Sequence, residues 1–136
     1  MVKAFGAAAA PMGFGEVYTA IQQGVIDGAE NNELALTNNK HGEVAKYYSY
    51  NKHQMVPDML VANLKFLTSL SPEDYQVFKA AAALSTDVEM EEWDKSIEEA
   101  KKIATDEMGV ELIDVDVEAF KEKALLLHES MLQENE

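Results

Sequence analysis

Phe14, Val17, Tyr18, Ile21 and Val25 recur at i, i+3, i+4, i+7 and i+11, the spacing of one apolar helix face. Gly24 follows the last polar turn, where a residue without a Cβ ends a helix at little steric cost. The β-branched pair Val25-Ile26 then predicts a short strand, and Asp27-Gly28 a turn that stops it. The loop that follows carries Glu30, Asn31 and Asn32. Loops leaving the carboxyl ends of strands line the ligand crevice of open α/β sheets, so this polar run is a candidate rim. Alternatively, Asn31 or Asn32 caps the next helix by accepting an orphan backbone N–H.

Elsewhere the pattern alternates between the two periods. Val2–Met12, ending at Pro11, reads as a strand or an extended lead-in, and Leu34–Ala45 as a short, weakly amphipathic helix interrupted by Asn38-Asn39 and Gly42. Lys46–Lys52, with three tyrosines, and the MLVAN run within Gln54–Asn63 are expected in the sheet. Ser71-Pro72-Glu73-Asp74 is a helix start, with a hydroxyl cap, a first-position proline and acids facing the positive end of the macrodipole.

No proline or glycine interrupts Pro72–Met108. One helix of that length would reach about 55 Å and bridge two bodies, whereas a capping box at Thr86-Asp87-Val88-Glu89 would split it into two helices near Ser85. Trp93, Ile97, Ala100, Ala104 and Met108 form its apolar stripe, and Glu91, Glu92, Glu98 and Glu99 its solvated face. Gly109 ends it, Val110–Val115 reads as a strand, and Val117–Gln133 as a final amphipathic helix. The expected class is α/β with short strands, flanking helices and a long spanning helix.

Composition narrows the chemistry. At 136 residues and 47% hydrophobic, the chain is one domain's worth of folded protein. A net charge of -14 argues against nucleic acid or an anionic membrane surface as partner. Every basic side chain is lysine, so the guanidinium fork that captures carboxylates bidentately is missing. There is no cysteine for disulfides or thiolate metal sites.

Asp114, Asp116 and Glu118 alternate like the opening of a calcium loop, but Ala119 and Leu125 occupy the positions that need glycine and glutamate. Either aspartate suits a helix cap. His41, His53 and His128 have no zinc-site spacing, and no nucleophile elbow, phosphate loop or dinucleotide fingerprint occurs. No metal, cofactor or enzymatic chemistry is expected.

The strings GAAAAPMGFGEVYTAIQQGVIDGAEN, HGEVAKYYSYNKH and LVANLKFLTSLSPEDYQVF together closely resemble the DctP-type solute receptors of TRAP transporters. The chain keeps Pro11-Met12, Phe14, Glu16-Val17-Tyr18, Gln22, Gly24, Asp27-Gly28, Glu30-Asn31, Glu43-Val44, Lys46-Tyr47 and His53 of the family pattern. It departs at Ile21, Asn32 and His41-Gly42, and Gly42 is expected to loosen its helix.

The resemblance covers the later half of a typical member. It implies that residues 1–136 are the carboxy-terminal portion of a two-lobe, periplasmic-binding-protein-like fold. The first lobe, its carboxylate-clamping arginine and the export signal would then lie upstream, and Met1 would be a start added to an excised domain. By similarity, Asn31 hydrogen-bonds the ligand carboxylate, the ligand packs on Phe14, and His53 lies near the pocket, while Glu30 and Asp27 secure the loop. The implied function is extracytoplasmic capture of a small organic acid, bound weakly or not at all by this portion alone, for delivery to TRAP permease subunits. A stand-alone interaction module is the alternative, and exposed surface or helix exchange would support a homodimer.

Overall fold

The computed structural model describes residues 1–134. The chain divides into two compact units, one formed by Met1–Met55 with Ala100–Glu136 and the other by Val56–Glu99.

In the first unit, Phe14–Glu16 forms a 3-10 turn that leads into α1, Val17–Gln22. Gly24, at φ 68, ends α1 as expected: the Val25 N–H bonds the Ala20 carbonyl at 2.9 Å and the Gly24 N–H bonds the Ile21 carbonyl at 3.0 Å. This pair of bonds is the Schellman closure, and it overturns the expected strand at Val25-Ile26. The Val25 N–H is spent on the helix end, and its side chain is 69% exposed rather than on the core face.

Val2–Met12 differs too. Val2–Phe5 is a 3-10 turn closed by Gly6 at φ 87, and no ladder partner pairs Ala7–Met12 among the described residues.

The expected interruption of Leu34–Ala45 divides it into α2, Leu34–Asn38, and α3, His41–Val44, with Lys40 at φ 59 between them. Strand β1, Tyr47–Tyr50, pairs in parallel with β2, Glu111–Asp114, with Tyr48 opposite Leu112. Leu36, Ala104 and Val110 form the buried cluster, and Tyr48, Met108 and Leu112 pack on it. Helix α6, Val117–Glu134, is capped by the Asp116 carboxylate, which accepts from the Glu118 and Ala119 N–H groups at 3.1 and 3.3 Å. Its Phe120 meets Phe5 edge to face, with ring centroids 5.2 Å apart.

In the second unit, the MLVAN run is exposed and unpaired rather than a strand, and Asn63 at its end caps α4, Leu64–Ser69. An apolar run forms a strand only where another strand meets its backbone bonds. Helix α5, Pro72–Asp106, is continuous for 35 residues, with Ser71 Oγ accepting the Asp74 N–H at 3.1 Å. Its residues 72–99 belong to the second unit and 100–106 to the first. No break occurs at Ser85, because the Thr86 hydroxyl bonds back to the Ala82 carbonyl at 3.2 Å instead of capping. The predicted stripe is buried only at Ala100 and Ala104; Trp93 is exposed. The helix stops at Asp106, two residues before Met108, whose N–H turns to the Ile103 carbonyl ahead of Gly109 at φ 66.

Candidate functional site

The segment between α1 and α2 separates the two roles that asparagine could play there. Asn32 does the capping: its Oδ1 accepts the Leu34 N–H at 3.1 Å and its carbonyl accepts the Ala35 N–H at 3.1 Å. Asn31 uses its own Oδ1 differently, accepting the Asn32 N–H at 2.9 Å. This fixes which end of the Asn31 amide is occupied. Its NH₂ has no protein acceptor among the described residues, so it presents two neutral donors suited to an anionic oxygen.

Two further contacts hold this loop. The Tyr48 hydroxyl donates to the Asn31 backbone carbonyl at 2.8 Å. Burial, reinforced by the Glu33 and Glu30 carboxylates, pushes the Tyr48 phenol up to about 12, so it remains a donor across the neutral range. On the other side, the Gln54 side-chain amide donates to Glu30 Oε2 at 3.2 Å, and His53 Nε2 lies 3.9 Å from the same oxygen. His53 Nδ1 is 2.6 Å from Asn51 Oδ1, a hydrogen bond in which Nδ1 donates when it carries the ring proton. Its ring and that of Phe5 form a T-shaped pair with centroids 5.7 Å apart.

Asn31 lines a cleft of about 410 Å³ together with Asp27, Asn32, His41, Lys46 and Tyr48. Phe14 and His53 are not among its lining residues. Each is one contact removed: Phe14 is half exposed and meets the cleft-lining His41 edge to face at 5.6 Å, while His53 faces Glu30, the residue before Asn31. His41 is buried, and that desolvation lowers its pKa.

Lys46 is the cleft's lysine, but its ammonium is committed. Nζ donates to the Gly42 carbonyl at 2.8 Å and to the Met108 carbonyl at 2.7 Å, tying the ends of α3 and α5 together. Among the described residues the cleft therefore offers hydrogen-bond donors and aromatic edges without a free cation. Among the described residues, no group of three His, Cys, Asp or Glu side chains could hold a metal ion, and no helix is long and apolar enough to cross a membrane.

Pattern reading passed over Tyr48, His41 and Lys46. Of the three, Tyr48 left a usable signal: in a strand Tyr48 and Tyr50 share the face opposite Tyr47, and their rings meet at 5.1 Å while Tyr47 is exposed.

Residues 1–135 match the family described as bacterial extracellular solute-binding protein, family 7, or DctP. The uncharacterised protein YiiZ of Salmonella typhimurium is 40% identical over 130 residues, which cover 96% of this chain and 40% of that protein. A TRAP periplasmic solute-binding protein of Anaerococcus prevotii, solved with bound α/β-D-glucuronate, superposes with a TM-score of 0.87 at 48% identity. The match covers 97% of this chain and 42% of that one. A counterpart from a Sulfitobacter species, solved with β-D-galacturonate, gives 0.89 at 38% identity, covering 98% and 44%. The chain thus spans about 40% of the length of the curated relatives it matches.

Proposed function

The chain belongs to the DctP family of bacterial extracellular solute-binding proteins, and from that premise we propose that it is the carboxy-terminal portion of a receptor for a small sugar acid. The remaining lobe would carry the arginine that this sequence lacks. Receptor and acid would meet outside the cytoplasm, where the closed receptor delivers the ligand to TRAP permease subunits. Ligand contact with both lobes would favour the closed state in proportion to its differential affinity.

The observation that carries this reading is the Asn31 amide, its oxygen occupied by the Asn32 N–H and its two N–H donors without an acceptor among the described residues, at a cleft edge. A neutral donor suits a carboxylate because it binds without needing a counter-charge of its own. Phe14, half exposed, is assigned to packing against the ligand and His53 to hydrogen bonding near it. The glucuronate and galacturonate bound by the two solved counterparts make hexuronates the first ligands to try.

Calorimetric titration of the receptor expressed from its complete reading frame tests the proposal. D-glucuronate or D-galacturonate is expected to bind at about micromolar or tighter, near -8 kcal/mol, and D-glucose, which lacks the carboxylate, far more weakly. Equal affinity for glucose, or no binding of either uronate, refutes it. The 136-residue chain alone is expected to bind these acids weakly or not at all.

A further inference from the structure

We propose that Tyr48 is a positioning residue for the ligand-binding amide of Asn31, acting through the hydrogen bond from its hydroxyl to the Asn31 backbone carbonyl. The inference rests on the reading of Asn31 as the carboxylate donor.

The geometry is that of a strut. The Tyr48 ring is anchored at one end, on the inward face of β1, packed on the cluster of Leu36, Ala104 and Val110 and meeting Tyr50 edge to face. Its hydroxyl, at the other end, reaches the Asn31 carbonyl at 2.8 Å, a separation of 17 residues along the chain. The loop has little else to fix it there. Asn31 is exposed, and its side-chain oxygen is held by the next residue's N–H, a local bond that moves with the loop rather than tying it to the sheet. Glu30 is held by Gln54 and faces His53, so the peptide before Asn31 is tethered from a different segment.

Strand pairing sets where the strut stands. Tyr48 is opposite Leu112 in the parallel ladder, so the position of the phenol oxygen is inherited from the β1–β2 register and the buried cluster beneath it. A donor amide placed this way needs little reordering when an anion arrives, which is the advantage of a site supported from rigid elements. Tyr47 does not substitute for it, being 70% exposed on the opposite face of the strand.

Tyr48→Phe keeps the buried ring and removes only the hydroxyl, which makes it the informative variant. In the receptor containing this chain, amide hydrogen exchange without ligand is expected to show the Asn32 N–H losing protection in Tyr48→Phe, with β1 and β2 amides unchanged. Titration with D-glucuronate is expected to show a loss of about threefold to tenfold in affinity. That loss should vanish when Tyr48→Phe is made in an Asn31→Ala background, since a strut has nothing left to position. If Asn31→Ala lowers affinity while Tyr48→Phe does not, the strut is refuted and the role of Asn31 stands. If neither variant changes uronate affinity, or the receptor takes up no uronate, the reading of Asn31 falls and the strut's role with it. Equal losses from Tyr48→Phe in both backgrounds also overturn positioning, because the hydroxyl would then be acting independently of Asn31.

Discussion

Gly42 on α3 leaves no room between itself and Met108: a Cβ built on it would lie 2.7 Å from Met108 Sδ. It would also come 3.2 Å from Val110 Cγ2 and 3.3 Å from the Leu36 carbonyl oxygen. Gly42 was expected to loosen its helix, which here is the four-residue α3, and its missing side chain also lets α3 approach the end of α5. Gly42→Ala is expected to destabilise the protein by about 1 to 3 kcal/mol, since overpacking outweighs the gain in helix propensity. Urea denaturation checks this, and adding Met108→Ala should cost less than the sum of the two single changes.

The same two residues are joined through their backbones by Lys46, whose ammonium donates to both carbonyls. Lys46→Met keeps the aliphatic stem and removes the donors, exposing two helix-end carbonyls to whatever water can reach them. A loss of about 1 to 2 kcal/mol is expected in thermal melts, because the bonds are charge-assisted but partly exposed. An unchanged melting temperature would show that water replaces the ammonium at no cost.

His41 is buried as a neutral ring, and its pKa is lowered by that burial. The unfolded chain therefore takes up this proton first as pH falls, near 6.5, so the contribution of His41 is complete above that value and is lost below it. Melting temperatures measured from pH 8 down to about 5 should decline more steeply in the parent than in His41→Phe. Parallel curves for the two proteins would remove His41 from the acid response.

Asn31→Asp tests the assignment of the loop. The change keeps the size, swaps two donors for a negative charge, and leaves the capping residue Asn32 untouched. Losing a bond to a charged group and gaining like-charge repulsion should lower uronate affinity by at least about tenfold to a hundredfold in the intact receptor. Ligand-free stability should change by less than about 0.5 kcal/mol. Normal affinity with an altered melt would mean that Asn31 serves the fold alone.

The unit Val56–Glu99 leaves much apolar surface in water: Met59 is 77%, Leu60 71% and Val61 80% exposed, and Phe66, Val77 and Met90 add to them. Surface of this kind promotes pairing, and exchange of a helix between two copies would cover it. The 136-residue chain is expected to form a symmetric dimer whose fraction rises with salt, since a net charge of -14 on each copy opposes association until screened. Light scattering that shows only monomer at high concentration and high salt counts against this.

Helix ends were legible in the sequence because their causes lie within a few residues. Gly24 and Gly109 adopt the positive φ that ends α1 and α5, and Ser71 with Pro72 begins α5, all through local sterics and single hydrogen bonds. The aromatic richness of Lys46–Lys52 likewise announced β1. Tertiary structure decided what depends on distant partners. Val25-Ile26 and MLVAN carry strand-forming side chains yet make no strand, because a strand exists only where another meets its backbone groups. The pairing of β1 with β2 joins Tyr47 to Glu111 across nearly half of the chain, a separation that no local period records. The division of labour between Asn31 and Asn32 was likewise undecided by composition, since both carry the same amide. It follows from which backbone N–H each oxygen meets once Tyr48, held by the sheet and the buried cluster, takes the Asn31 carbonyl.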